Sequence, residues 1–168
     1  MTINTQDFRI KTSFIPRANG HTKNFWEVGI DVGYSSVKVF APNSNIQFPS
    51  FAELDFSEEI GEVNPNHIKY ENLLTGEKWI VGASAQNSIQ QSSTSYSDDS
   101  LYQRERYDSP MFAVLIDVAL GLALTENEFG KPGDLPISIQ TGLPSNYLKQ
   151  DKGPLKAAFA GKRKFSLR

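Results

Sequence analysis

One carboxylate and one ammonium flank a short turn in the stretch Trp26-Glu-Val-Gly-Ile-Asp-Val-Gly-Tyr-Ser-Ser-Val-Lys-Val-Phe40. An apolar strand reaches Asp31, the chain turns through Gly33, Tyr34, Ser35 and Ser36, and a second strand returns carrying Lys38. An acid placed this way can order the water around a divalent cation. Turn amides and a lysine ammonium can hold phosphate oxygens. The combination suits a nucleoside triphosphate with its metal, and suits neither a metal-only nor a nucleophilic site. Asp-x-Gly is also an ordinary hairpin sequence, and a strand lysine is commonly just solvated. The surrounding elements therefore have to decide.

Val37 and Val39 alternate with Lys38 and Phe40, the period of a half-buried strand. Pro42 to Asn45 makes a second turn, and Ile46-Gln47-Phe48 a third short strand that stops at Pro49-Ser50. Three strands joined by tight turns predict an antiparallel meander. Ahead of it, residues 1–24 read as an extension or loose arm, with turn residues at Pro16, Asn19 and Gly20. Behind it, residues 52–70 read as polar surface, with acids at Glu53, Asp55, Glu58, Glu59 and Glu62. Tyr70 to Gly82 then predicts a hairpin with Thr75-Gly76 near its tip. Residues 90–108 form a polar connection without a motif.

The strongest helical pattern runs from Ser109 to Glu126, with Ser109 as N-cap and Pro110 at the first helical position. Met111, Leu115, Val118 and Leu122 form one apolar stripe, and Phe112, Ile116, Ala119 and Ala123 another beside it, so burial on more than one side is expected. Asp117 and Gly121 share the narrow face that is left, and Asp117 is read as a water-facing acid. Leu135 to Thr141 predicts a buried strand running into Gly142-Leu-Pro-Ser145. Ser145 is expected to cap a helix containing Tyr147 and Leu148. Leu155 to Phe159 is read as a helical turn stopped at Gly161, and Lys162 to Arg168 as the start of another strand. Its basic residues are expected to be solvated, with nucleic-acid contact a minor alternative.

Asp-x-Gly-x-x-x-x-Lys after an apolar strand resembles the first phosphate loop of the actin-like ATPases. The fuller string Gly-Ile-Asp-Val-Gly-Tyr-Ser-Ser-Val-Lys is most similar to the ParM/StbA plasmid-segregation branch. An aromatic at the position of Tyr34 is common in that branch, where eukaryotic actin has a small hydroxyl residue. Ser35 stands where the superfamily often has glycine, and its β-carbon narrows the turn geometry. Phe48-Pro49-Ser50, Val81-Gly-Ala-Ser-Ala85 and Thr141-Gly-Leu-Pro-Ser145 resemble later segments of the same family in the same order.

That resemblance implies an α/β fold, the first domain of an actin-like (ribonuclease H-like) ATPase. Its mixed five-stranded sheet with flanking helices would occupy residues 25–168, with a small subdomain inserted at about 52–82 and an extension at 1–24. ATP and Mg2+ are the implied cofactors. Asp31 would act on the metal through water, the turn of Gly33, Tyr34, Ser35 and Ser36 would hold phosphate, and Lys38 would pair with its charge. No catalytic residue is assigned within these 168 residues. The family's second phosphate loop, adenosine-binding segment and water-orienting residue lie further along, so the chain is expected to be the N-terminal half of a longer protein. ATP turnover is expected of that full-length protein and not of this part alone. Self-association into filaments, with a plasmid or cargo adaptor as a further partner, is implied as well. The runners-up are a kinase or heat-shock-type ATPase of the same superfamily and a non-catalytic interaction module.

Composition sets the outer bounds. Apolar residues make up 39% and charged residues 21%, with a formal net charge of −2. This balance excludes a disordered chain or a polyanion coat. The absence of cysteine rules out disulfides and thiolate chemistry and fits a cytoplasmic protein. His21 and His67 lie far apart among polar residues and are read as solvated. The longest apolar run, Met111 to Leu124, is interrupted by Asp117 and too short to span a bilayer. Neither membrane nor direct nucleic-acid contact is expected.

Overall fold

The structure, a computed structural model, describes residues 10–56, 67–91 and 106–168. The expected surface acids Glu58, Glu59 and Glu62, the start of the N-terminal arm and most of the polar connection at 90–108 lie outside the described residues. In chain order the strands are Ser13–Pro16 (β1), Trp26–Val32 (β2), Ser36–Ala41 (β3), Ser44–Pro49 (β4), Ala52–Leu54 (β5), Ile68–Asn72 (β6), Lys78–Val81 (β7), Ile137–Gln140 (β8) and Phe165–Leu167 (β9). The helices are Ala83–Gln91 (α1), Pro110–Ala123 (α2) and Leu148–Phe159 (α3).

The meander β2–β3–β4 forms the middle of a five-stranded sheet of order β1-β4-β3-β2-β8. All its ladders are antiparallel except β2 with β8, which is parallel, so the sheet is mixed. Period-two patterning works as expected. Trp26, Val28, Ile30 and Val32 of β2 and Val37, Val39 and Ala41 of β3 are buried on one face, leaving Asp31, Lys38 and Phe40 exposed on the other. The buried face packs on α2, where Met111, Phe112, Leu115, Ile116 and Val118 are all buried. Trp26 fixes the contact by donating its indole N–H to the Ala123 carbonyl at 3.2 Å.

Residues 13–16 are not a loose arm. They pair with β4, Ser13 opposite Gln47 and Ile15 opposite Asn45, and close the sheet edge. Asn19 holds the chain down beyond this strand by donating to the Ala41 carbonyl and to Asn45 Oδ1. Four residues ending in proline carry too little pattern to declare a strand. The partner supplies what the segment lacks.

Ser109 caps α2 as expected, accepting from the Phe112 N–H, with Pro110 opening the helix. Asp117, however, does not face water. It is buried, accepts from the Tyr70 hydroxyl at 2.9 Å and is ion-paired with Arg163. A second sheet of order β5-β7-β6-β9 covers this side of α2. Gly121 allows the approach: a β-carbon there would meet Leu167 Cδ1 at 2.5 Å. Arg163 is correspondingly no solvated strand end, and also donates to the Ala158 carbonyl.

Ser145 does not cap a helix. Residues 145–147 form a 3-10 turn without a side-chain cap, and α3 follows as one helix from Leu148 to Phe159 with Pro154 inside it. Both histidines are exposed, as read from the sequence.

Candidate functional site

Asp31 and Lys38 are register partners in the β2–β3 ladder, so their side chains leave the same face of the sheet. Both are exposed, and no hydrogen bond or ion pair occupies either among the described residues. They line one shallow depression of about 450 Å3, together with Gly29, Phe40 and Gln47. An acid and a cation left unneutralised beside an opening can each meet a ligand of the opposite charge.

The turn between them closes through one bond, from the Gly33 N–H to the Ser36 carbonyl at 3.0 Å. Gly33 permits this closeness: a β-carbon on it would lie 3.0 Å from that same oxygen. Its own N–H is thereby committed inside the hairpin, and its contribution is shape. Neither Tyr34 nor Ser35 takes a positive φ, so this is not one of the primed two-residue hairpin turns. Ser35 is thus accommodated with its β-carbon in an ordinary backbone region.

Ser50 supports the turn from behind. Its hydroxyl donates to the Gly33 carbonyl at 2.7 Å and its N–H donates to the Ser35 carbonyl at 3.1 Å. The side chain is buried, directly after the Pro49 that ends β4. Sequence reasoning singled out Phe48-Pro49-Ser50 as a pattern without seeing that its serine grips the turn. A second residue was missed altogether. Arg106 lies in the connection read as motif-free, and its guanidinium stacks over the Tyr34 ring, 4.5 Å from the centroid.

Among the described residues no group of three or more His, Cys, Asp or Glu side chains converges on a point. Asp31 alone cannot supply a direct coordination sphere for Mg2+, which keeps several waters in any case. A role through water is what this donor set fits.

The family model for the N-terminal domain of actin-like proteins matches residues 29–167. This chain belongs to the actin-like proteins. The matched span takes in the Asp31–Lys38 hairpin, strands β3 to β9 and helices α1 to α3, and leaves out β1. No curated protein matches the chain. Solved structures do. A ParM filament from Clostridium botulinum superposes with a TM-score of 0.64 at 24% identity, over 86% of this chain and 42% of that one. Apo pSK41 ParM gives a TM-score of 0.62 at 20% identity, over 86% and 45%. The AlfA filament bound to AMPPNP gives 0.54 at 16% identity, over 85% and 48%. The likeness at these identities is one of fold, and the mixed five-stranded sheet with flanking helices is the actin-like one. The chain spans less than half the length of each of these three proteins. No described helix is long and apolar enough to cross a membrane.

Proposed function

We propose that this domain holds ATP and Mg2+ at the Gly33–Ser36 turn, as the N-terminal half of a filament-forming actin-like protein of the plasmid-segregation type. The observation that carries the reading is the pairing of Asp31 with Lys38 across the hairpin, both unneutralised beside one opening. Membership of the actin-like family, and a like-folded filament bound to AMPPNP, support it.

In this reading Lys38 meets the phosphate charge, the turn that includes Tyr34, Ser35 and Ser36 borders the phosphates, and Asp31 orders water on the metal. Asp31 would hold Mg2+ through water, and the ion would supply positive charge against the phosphates. Each charge-assisted hydrogen bond from Lys38 or the turn is worth about 1.5–3 kcal/mol. Phosphoryl transfer depends on several such groups acting at once, and one hairpin is only part of such a set. Turnover is therefore assigned to the intact protein, and these residues alone should bind nucleotide weakly and hydrolyse none. Nucleotide held between two domains would favour the assembling conformation, and hydrolysis would release it. Self-association is the partner reading that the C. botulinum ParM and AlfA filament likenesses support.

Light scattering and sedimentation of the intact protein test the proposal. ATP with Mg2+ should produce pelletable polymer, and Lys38→Ala should reduce it. Phosphate transfer to a sugar without polymer would instead identify a kinase.

A further inference from the structure

Arg106 sits at the start of a 3-10 turn, Arg106–Asp108, that leads into the cap of α2. Its guanidinium carbon lies 5.3 Å from the Tyr107 ring centroid and 5.6 Å from that of Phe112, besides the 4.5 Å to Tyr34. Tyr107 and Phe112 are buried and packed edge to face at 5.2 Å, so they are fixed by the core. Tyr34 differs from them. It is 52% exposed, at the tip of the turn between Asp31 and Lys38. One cation thus joins two anchored rings to one ring on the turn, each at a distance where the positive charge is attracted to the ring face.

The direction of control follows from which partners can move. Arg106, held from the core side, limits the rotamers open to the Tyr34 ring on the turn. Its Nη1 atom is buried and has no hydrogen-bond partner among the described residues. Arg106 is therefore placed by its rings more than by hydrogen bonding.

We infer that Arg106 is a positioning residue for the turn: it braces Tyr34 and so presets the backbone that receives nucleotide phosphate. This rests on the nucleotide reading of the turn and adds to it a residue from a distant part of the chain. Lys38 and Asp31 act by charge at the ligand, whereas Arg106 acts through Tyr34.

The experiment is a double-substitution cycle in the intact protein, titrated with a fluorescent ATP analogue in Mg2+, with thermal unfolding of every variant measured in parallel. Arg106→Met and Tyr34→Leu should each weaken binding by about threefold, in keeping with a half-exposed cation–π contact. The double variant should be no weaker than either single one. Arg106→Lys keeps a cation over the rings and should recover most of the binding lost in Arg106→Met, a rescue that a general loss of stability would not produce. Losses that multiply in the double variant, or Arg106→Met binding unchanged, would overturn the inference while leaving the nucleotide site intact. Absence of binding by the unsubstituted protein would overturn both readings together.

Discussion

Asp31 stands directly opposite Lys38 in the β2–β3 ladder, yet no ion pair joins the two among the described residues. Cross-strand neighbours of opposite charge commonly neutralise each other. Here both stay available beside one depression. Asp31→Asn should leave folding intact, because the side chain is exposed, while reducing the dependence of nucleotide binding on Mg2+. Titrations at two Mg2+ concentrations check this, and an unchanged Mg2+ dependence would remove Asp31 from the metal's surroundings.

Ser50 predicts a separable effect on the turn. Ser50→Ala removes the hydroxyl bond to the Gly33 carbonyl but keeps the backbone bond to Ser35. A buried hydrogen bond of this kind contributes about 1 kcal/mol. Urea unfolding should show that loss, and nucleotide affinity should fall although Ser50 itself carries no charge for the ligand. Affinity equal to that of the unsubstituted protein would mean that the turn holds its shape without Ser50.

The Asp117–Arg163 pair, with Tyr70 as a third member, ties the second sheet to α2. Removing one partner of a buried pair leaves the other charge uncompensated and typically costs about 3 kcal/mol or more. Arg163→Ala should therefore destabilise strongly. Replacing Asp117, Arg163 and Tyr70 together with Leu, Met and Phe removes every member and should recover much of the loss. Denaturant midpoints of the single and triple variants decide it, and a triple variant as unstable as Arg163→Ala would contradict the pairing.

Tyr70 adds a pH dependence. Burial first, then the hydrogen bond to Asp117, raises the pKa of its hydroxyl well above the ordinary value. Below the unfolded value of about 10 the hydroxyl is protonated in both states, and its contribution is complete. As pH rises further, the unfolded chain ionises first, and this contribution is lost as pH climbs through the raised folded value. Melting temperatures of the unsubstituted protein should therefore fall more steeply than those of Tyr70→Phe above about pH 10. Parallel slopes would show that Tyr70 ionises alike in both states.

What could be read from the sequence was what is written locally. The alternation through Trp26–Phe40 gave the central hairpin and its exposed pair, and Ser109-Pro110 gave the start of α2. What escaped depends on partners far along the chain. β1 is a strand because β4 pairs with it, and Asp117 is buried because Tyr70 and Arg163 come to it from either side in sequence. Arg106 acts on the turn through Tyr34, and Ser50 through Gly33. Periodicity reports which face of an element is apolar, and cannot report what arrives to cover the polar one.

The nucleotide assignment is tested most directly by titrating the intact protein and its Lys38→Ala variant with a fluorescent ATP analogue in Mg2+. Saturable binding that weakens about tenfold or more in the variant is expected, the equivalent of one charge-assisted hydrogen bond. Equal affinities in the two proteins would contradict a phosphate-holding role for this hairpin.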